Sequence, residues 1–526
     1  MSNIAFTAPH SGAADIGLSL LRDGASAVDA MIAASAAIAV LYPHMNSLAG
    51  DGFWLVQRPG EAPRAIDACG HAAALASIDW YREQGCDAIP ARGPLSALTL
   101  GGTLSGWDKA RECCVAPEQR RPYGELLAPA EALARDGIEV TASLAAASEK
   151  VHESLADETA FRAIFAPEGR PLRQGEQLRN PDLAETLAHL ARKGPRDFYD
   201  GELAETVAAE LAARGSPIRA SDLIGYEAQE VTPLSVRTRV GSLYNFPPPT
   251  QGLASLLILA IYDQLYDPQW SDADRVHTLV EATKQAFRVR DREVTDPARM
   301  RAPAESHLNS VSIGKLAAVL GKEASPWPWP AEPGDTVWMG CVDAEGTMVS
   351  FIQSVYWEFG SGVTIPGTGL VWNNRGLSFS LDADHRNALE PGYKPFHTLN
   401  PAFAVLDDGR RMSYGTMGGE GQPQTQAALF TRYLYDGLPL DESIARGRWL
   451  LGRTWGDRDD DLKLEASLAR HLGDELALRG HRFKTVPDHS EMMGHAGAVV
   501  RFPDGGVTAA SDPRSDGAAR EGSCSI

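Results

Sequence analysis

The chain has 526 residues, of which 44% are hydrophobic and 22% charged, so it is long enough to bury a large core. At roughly 150 residues per domain, this length allows two to four structural units. Its 49 basic and 69 acidic side chains give a formal net charge of −20. That charge argues against nucleic acid and anionic membranes as general partners, and small anionic substrates then require a locally positive site.

The amino-terminal region contains no targeting pattern. The first ten residues have neither a basic stretch nor an apolar core of roughly 7–15 residues, so the sequence predicts no secretory signal, a cytoplasmic location and an intracellular substrate. Residues 30–42 form the longest apolar stretch, which is shorter than the ~20 residues that span a bilayer and predicts a buried helix. The six cysteines show no CxxC pair or zinc spacing, which indicates reduced thiols.

Along the chain, residues 1–150 alternate alanine-rich helical windows with short strands, and residues 180–300 are mainly helical. Amphipathic helical windows lie at residues 183–191 and 204–211. Strand-like composition is found at residues 53–56, 348–354, 369–372 and 402–406. Between residues 302 and 334, the prolines predict an exposed linker that is neither regular helix nor central strand. They are Pro303, Pro326, Pro328, Pro330 and Pro333.

Directly after this segment, residues 334–343 have the pattern of a turn that leads into a half-buried strand, with Thr336 at its head. If the peptide bond before Thr336 is cut, one residue supplies both a nucleophilic hydroxyl and a free α-amino group as its base. An α-amino group has a reference pKa of about 7.7–8.0, so a useful fraction is unprotonated near neutral pH. Taken alone, a threonine at this position is more often a β-branched residue that favours a strand.

Several motifs in a fixed order place this threonine in context. They are DGASAVDA at 23–30, YPH at 42–44, AGDGF at 49–53, LARDG at 133–137, NPDL at 180–183, FYDG at 198–201, PPPTQG at 247–252 and DPRSDG at 512–517. Each motif alone is a modest loop pattern. Their order and spacing resemble those of the γ-glutamyltranspeptidase family of N-terminal-nucleophile (Ntn) hydrolases over nearly the whole chain.

The resemblance implies an α/β fold, a four-layer αββα sandwich in which two mainly antiparallel sheets stack between helical layers. It also implies autocatalytic cleavage between Asp335 and Thr336, in which the threonine hydroxyl attacks the preceding carbonyl and the resulting ester is hydrolysed. The products would be a large subunit, residues 1–335, and a small subunit, residues 336–526, which together form one unit. A dimer of such heterodimers is compatible with it. An uncut proline-rich loop is the alternative.

The same resemblance assigns further catalytic positions. Gly418 and Gly419 match the family's oxyanion-hole pair, where backbone N–H groups approach the reacting carbonyl without side-chain obstruction. A phosphate cradle is a poor alternative because no Lys-Ser/Thr follows the glycines. Ser354 matches a position that carries a hydroxyl and would orient Thr336, although it would equally fit as a small strand residue. No metal spacing emerges, because His489 and His495 are separated by a loop-like stretch and residues 457–461 read as an acidic turn. No cofactor is expected.

The substrate pocket departs from the family pattern. Cys69 stands where transpeptidases have the arginine that grips the glutamyl carboxylate, and Ser378 replaces the aspartate that meets the amino group. His397 and Thr398 replace a pair of serines. Charge-assisted hydrogen bonds contribute ~1.5–3 kcal/mol each, so losing two would weaken a glutamyl ligand by ~10²–10⁴. A glutathione-type substrate is therefore disfavoured.

Arg375 replaces a glutamine or glutamate and offers a guanidinium for forked pairing with a carboxylate. An internal salt bridge is the alternative role. Bulky side chains at Tyr356, Trp357 and Trp372 would shorten the pocket, or would simply pack between strands. Together, these features predict a compact amide with a carboxylate next to the scissile carbonyl.

Within the family, the chain most resembles the oxamate amidohydrolase branch, which releases oxalate and ammonia from oxamate in purine degradation. Two alternatives stay open. One is an acylase or γ-glutamyl hydrolase that acts on a larger amide, such as a β-lactam side chain. The other is a non-catalytic relative that serves as a binding protein.

Overall fold

The computed structural model describes residues 2–327, 335–452 and 461–524. Three prolines of the predicted linker, Pro328, Pro330 and Pro333, lie outside the described residues, as does most of the predicted acidic turn at 457–461. The chain is continuous from Asp335 to Thr336, which both belong to one strand.

The strands are β1 (Ser2–Ala8), β2 (Asp51–Gln57), β3 (Arg64–Ala68), β4 (Ile138–Glu139), β5 (Gln177–Leu178), β6 (Gln229–Val231), β7 (Leu234–Thr238), β8 (Gly241–Asn245), β9 (Asp335–Val342), β10 (Met348–Tyr356), β11 (Thr364–Ile365), β12 (Leu370–Val371), β13 (Ala402–Leu406), β14 (Arg411–Thr416), β15 (Trp449–Leu451), β16 (Leu462–Glu465), β17 (Phe483–Val486), β18 (Ala496–Arg501), β19 (Val507–Ser511) and β20 (Ala518–Cys524).

The helices are α1 (Ser11–Arg22), α2 (Ala27–Leu41), α3 (Ile78–Glu83), α4 (Thr103–Cys114), α5 (Tyr123–Asp136), α6 (Ala142–Val151), α7 (Thr159–Phe165), α8 (Pro181–Lys193), α9 (Asp197–Asp200), α10 (Glu202–Ala213), α11 (Ala220–Ile224), α12 (Gly252–Leu265), α13 (Asp272–Glu293), α14 (Ser310–Ala317), α15 (Gln422–Leu434), α16 (Leu440–Ala445) and α17 (Ala466–Leu478).

Two antiparallel sheets form the centre of the molecule. The first has seven strands in the order β20-β1-β9-β10-β2-β3-β6, and the second has six in the order β19-β18-β14-β13-β8-β7. Their facing surfaces enclose an apolar cluster that includes Phe53, Trp338, Phe403 and Val499. Non-consecutive neighbours in both orders mean that distant parts of the chain build each sheet.

Helices cover the outer face of each sheet. One core cluster combines α1, α2 and α5 with the seven-stranded sheet, and a second combines α12, α13 and α15 with the six-stranded sheet. Helix α2 is buried along its whole length, which confirms the buried helix predicted at residues 30–42. The predicted four-layer αββα fold is therefore confirmed.

Three glycines leave the space, here called the Trp338 slot, that the indole of Trp338 in β9 occupies, and they thereby fix the position of this strand. A Cβ atom on Gly415 would lie 2.2 Å from Cδ1 of Trp338, and those on Gly340 and Gly497 would each lie 2.6 Å from the same indole ring. The indole N–H donates to Ser350 Oγ at 3.0 Å. Because contacts under about 3.0 Å are excluded for real Cβ atoms, only glycine at these places lets Trp338 lie between the sheets.

One prediction from the sequence was wrong in part. The predicted linker contains helix α14, which forms because the Asn309 side chain accepts from Ser312 N–H and because Ile313 and Ala317 are buried. Residues 180–300 are mainly helical, as predicted, and they also contain the short strands β6, β7 and β8, which pair within the two central sheets. Within the three described ranges, every helix is too short or too polar to traverse a lipid bilayer.

Candidate active site

Thr336 is the second residue of β9, which pairs with β1 on one side and β10 on the other. Its side chain is fully buried in the continuous chain. Its Oγ1 accepts a hydrogen bond from Gln422 Nε2 at 3.4 Å. The predicted nucleophile is thus held inside the sheet sandwich and contacts the first residue of α15.

Ser354 lies next to Thr336 across the sheet. Gln353 pairs with Val337 and Tyr356 pairs with Asp335, so the ladder shifts at this point and Thr336 faces the stretch that includes Ser354. Ser354 Oγ accepts from Tyr356 N–H at 2.8 Å, and Tyr356 has a positive φ of 84°. Such a bulge redirects side chains locally. The register therefore places Ser354 on the strand next to the predicted nucleophile, at the same level of the ladder.

Gly418 and Gly419 form the turn between β14 and α15. Their φ angles are 119° and 52°, a region that favours glycine. The Gly419 carbonyl accepts from Gln251 Nε2 at 2.8 Å, which holds the turn in place. Because α15 begins with Gln422, whose amide donates to Thr336, the glycine pair and the first turn of this helix lie at the same end of the site.

A hydrogen-bonded chain connects Thr336 to the predicted substrate residues. Asn400 Nδ2 donates to Gln422 Oε1 at 3.1 Å and to the Thr398 carbonyl at 2.9 Å. Arg375 Nη1 donates to Thr398 Oγ1 at 3.4 Å. The nucleophile, the glycine turn and the only guanidinium predicted for the pocket therefore belong to one connected network.

Arg375 itself is fully buried. Its guanidinium carbon lies 3.9 Å from the ring centroid of Tyr356, a cation–π contact, and its Nε lies 4.0 Å from Asp51 Oδ2. The same carboxylate oxygen is 3.0 Å from His397 Nε2. The internal ion pair that the sequence left as an alternative is therefore present, at the long limit of such contacts, and it lies inside the predicted pocket.

The pKa values of Asp51 and His397 both depart from their usual ranges. Burial raises the pKa of Asp51 to about 7, against the opposing effects of Arg375 and the Gly70 N–H, which donates to Asp51 Oδ1 at 2.8 Å. Burial, together with the cations of Arg375 and Lys394, holds the pKa of His397 well below its usual value. The His397 ring is therefore neutral. It donates to the ionised carboxylate or accepts from the neutral carboxyl.

Of the other predicted pocket residues, Ser378 and Cys69 lie near Arg375 or Asp51, whereas Trp372 packs in the core. The Ser378 hydroxyl is buried without a hydrogen-bond partner among the described residues, in the same short turn as Arg375. Burial raises the pKa of the Cys69 thiol well above its usual range. Trp372 packs in the core instead, because its indole N–H donates to the Thr99 carbonyl at 3.0 Å and its ring stacks on Phe198. Trp357 is only half-buried.

Two groups of side chains among the described residues have ligand atoms close enough for a metal ion, namely Asp51 with Cys69 and His397, and His277 with Glu281 and His481. In the first group, the Arg375 cation already lies near the carboxylate. In the second, Lys284 Nζ lies 2.6 Å from Glu281 Oε1. A positively charged side chain, Arg375 or Lys284, thus already lies beside the carboxylate in each group, and we assign no metal to either. The absence of a cofactor stays a prediction.

Comparison with known proteins identifies the family to which the chain belongs. The family model for γ-glutamyltranspeptidase matches residues 13–522. The chain belongs to the γ-glutamyltranspeptidase family. It is 51% identical to the oxamate amidohydrolase proenzyme of Klebsiella pneumoniae subsp. pneumoniae, over 97% of each chain. It is 37% identical to the glutathione hydrolase-like YwrD proenzyme of Bacillus subtilis, also over 97% of each chain.

Among solved structures, cephalosporin acylase from Bacillus halodurans superimposes with a TM-score of 0.89 at 31% identity, covering 99% of this chain and 96% of that one. This member of the γ-glutamyltranspeptidase family is therefore an enzyme, an amidohydrolase with the Ntn-hydrolase fold. The alternative of a non-catalytic binding protein is not supported.

Proposed function

We propose that the protein is a self-processing threonine amidohydrolase whose substrate is a small amide with an adjacent carboxylate, with oxamate as the preferred example. The observation that supports this most directly is the buried Arg375, which the Thr398–Asn400–Gln422 network connects to Thr336. A buried guanidinium near the nucleophile favours an anionic substrate. The similarity to a relative named oxamate amidohydrolase proenzyme supports the same substrate.

The proposed maturation step breaks the peptide bond between Asp335 and Thr336. Thr336 Oγ1 attacks the carbonyl carbon of Asp335, the C–N bond breaks, and its nitrogen takes up the hydroxyl proton. Water then hydrolyses the ester. The products are a carboxylate on Asp335 and a free α-amine on Thr336.

In turnover, that amine accepts the hydroxyl proton while Oγ1 attacks the amide carbon of oxamate. The N–H groups of the Gly418-Gly419 turn stabilise the negative charge on the carbonyl oxygen, a contribution that typically lowers a barrier by about 2.7–4 kcal/mol per donor. The C–N bond breaks, and ammonia leaves with the transferred proton. Water then hydrolyses the oxalyl ester to oxalate and restores Thr336. Arg375 orients the substrate carboxylate.

An acylase that acts on a larger amide is the second candidate, because the cephalosporin acylase structure covers nearly the whole chain. The buried stack of Tyr356 on Arg375 favours the smaller substrate. A cytoplasmic location and a role in purine degradation stay predictions from the sequence.

Intact mass and an ammonia assay on the purified protein test the proposal. We expect two chains, with a new amino terminus that reads Thr-Val-Trp-Met, and ammonia release from oxamate. A parallel assay for free amine should show little hydrolysis of glutathione or of a cephalosporin. Thr336→Ala should stay a single chain and release no ammonia. A single uncut chain that still hydrolyses oxamate would contradict the proposed nucleophile. A processed protein that leaves oxamate intact would contradict the substrate.

A further inference from the structure

The cluster of residues predicted to bind the substrate contains one negative charge more than a simple anion clamp needs. Arg375 and Asp51 are both fully buried, and their opposite charges balance before substrate binds when Asp51 is ionised. A substrate carboxylate on Arg375 would place a second negative charge in the same enclosed region. Like charges repel strongly where solvent does not screen them, so this arrangement disfavours an anionic ligand unless the charge is compensated.

The groups around Asp51 leave one way to compensate that charge. Facing it are Gly70 N–H, Cys69, Asp67, Arg375, His397, Lys394 and, further away, the phenols of Tyr199 and Tyr226. Lys394 Nζ already pairs with Asp67 at 2.6 Å. The Cys69 thiol stays protonated and neutral because burial raises its pKa. The Asp51 carboxyl and the His397 ring, which share one hydrogen bond, are the pair that can accept a proton.

We infer that the Asp51–His397 pair takes up one proton from solvent when an anionic substrate binds to Arg375, so that Asp51 determines the substrate charge that the enzyme accepts. The reaction is binding only: the ionised carboxylate, the substrate anion and a proton give a neutral carboxyl beside the bound anion. This inference rests on the proposed function, since it needs a carboxylate-bearing substrate at Arg375.

The sign of the expected pH effect follows from the pKa of Asp51, which burial raises to about 7. Below that pH the carboxyl is already neutral, and an anion binds without proton uptake. Above it, every pH unit leaves about tenfold less of the protonated form. Binding of an anionic amide should therefore weaken by about tenfold per unit, whereas binding of a neutral amide should not.

A pair of matched substrates isolates this effect. Oxamate and its neutral diamide, oxamide, both require the Thr336 amine, so the ratio of their kcat/KM values cancels the titration of that amine. For the processed wild-type enzyme, we expect the oxamate-to-oxamide ratio of kcat/KM to be constant below about pH 6 and to fall about tenfold per pH unit above about pH 7. This fall should come from a rise in the KM for oxamate.

Two variants complete the experiment. Asp51→Asn keeps an acceptor for the Gly70 N–H but cannot ionise, so the ratio should become independent of pH. Asp343→Asn is the matched control, because Asp343 is another buried carboxyl whose pKa burial raises, to about 6, and it lies just beyond the opposite end of β9. That variant should keep the wild-type slope.

The outcomes separate the two proposals. A flat wild-type ratio, or an unchanged slope in Asp51→Asn, would overturn proton uptake while oxamate remains the substrate. Hydrolysis of oxamide without any hydrolysis of oxamate between about pH 5.5 and 9 would overturn both.

Discussion

Arg375 is the side chain on which the choice of substrate most directly depends. Arg375→Ala removes the buried cation and should lower kcat/KM for oxamate by at least about 10²-fold, because charge-assisted hydrogen bonds contribute ~1.5–3 kcal/mol each. Arg375→Lys keeps the charge but loses the planar fork and should be intermediate. The measurement is ammonia release, and it is made on variants that are shown by intact mass to be processed. Turnover within about threefold of wild type would mean that Arg375 serves only as a partner for Asp51.

The residues of the site differ in how far the sequence reveals them. The catalytic roles of Thr336, Ser354 and the Gly418-Gly419 pair were predicted from the resemblance to a family, and they stay predictions. Asp51 was missed as a pocket residue, although it lies in the AGDGF motif as an acidic residue in an apolar stretch. Its partner His397 lies 346 residues away. Such contacts depend on sheet pairing, so linear spacing does not indicate them.

Gln251, Asn400 and Gln422 were missed for a related reason. Their amides satisfy backbone and side-chain groups across the site. Neutral amides have no spacing rule of their own, and only the folded chain shows which groups they connect.

At the level of elements, the slot for Trp338 sets the position of β9 and therefore of Thr336. Gly415→Ala would place a methyl group 2.2 Å from the indole. We expect it to displace β9, to slow or abolish processing and to lower the midpoint of thermal unfolding, since overpacking typically costs ~1–3 kcal/mol. Intact mass over time and thermal melts are the measurements.

Gly124→Ala is the control for that variant. Gly124 lies in the first turn of α5, where an added Cβ meets nothing within 4 Å. Alanine favours helix over glycine, so this variant should process normally and be at least as stable as the wild type. Normal processing in Gly415→Ala would show that the slot does not position the nucleophile.

Helices and strands with a long run of apolar residues could be predicted from the sequence, and short elements of mixed polarity could not. The alanine-rich α2 and the apolar strands β2 and β10 have long buried runs. Strands β6, β7 and β8 are three to five residues long and mix polar with apolar residues. Flanking prolines concealed α14, because they indicate where a helix cannot continue but say nothing about the residues between them.

For the whole molecule, buried histidines predict sensitivity to acid. Burial is the main cause that lowers the pKa of His44 to about 3 and those of His481 and His495 to about 4. An unfolded histidine binds its proton near pH 6.5. Stability present at pH 7 is therefore lost as the pH falls from about 6.5 towards 4, at up to about 1.4 kcal/mol per pH unit for each histidine.

Urea unfolding at pH 7, 6 and 5 measures this loss, and the midpoint should decrease at each step. His495→Gln should reduce the pH dependence of the free energy of unfolding by the equivalent of about one proton. His471→Gln, at an exposed side chain, should leave the slope unchanged. An identical slope in the His495 variant would show that this ring does not cause the acid sensitivity.

The order of strands in the two sheets was beyond the sequence, because each sheet combines strands from both sides of residue 336. In the seven-stranded sheet, β9 contains that residue and β10 and β20 follow it, whereas β1, β2, β3 and β6 precede it. The resemblance to a family supplied the architecture, and hydrophobic patterns alone would not have done so.

The pairing of β1 with β20 places Ser2 opposite Cys524. A short designed linker could therefore join these two strands as a hairpin without disturbing either sheet. A circularly permuted gene built on that connection could open the chain at residue 336. Its product would present a terminal threonine amine once the initiator methionine is removed, which would separate the chemistry of maturation from the chemistry of turnover.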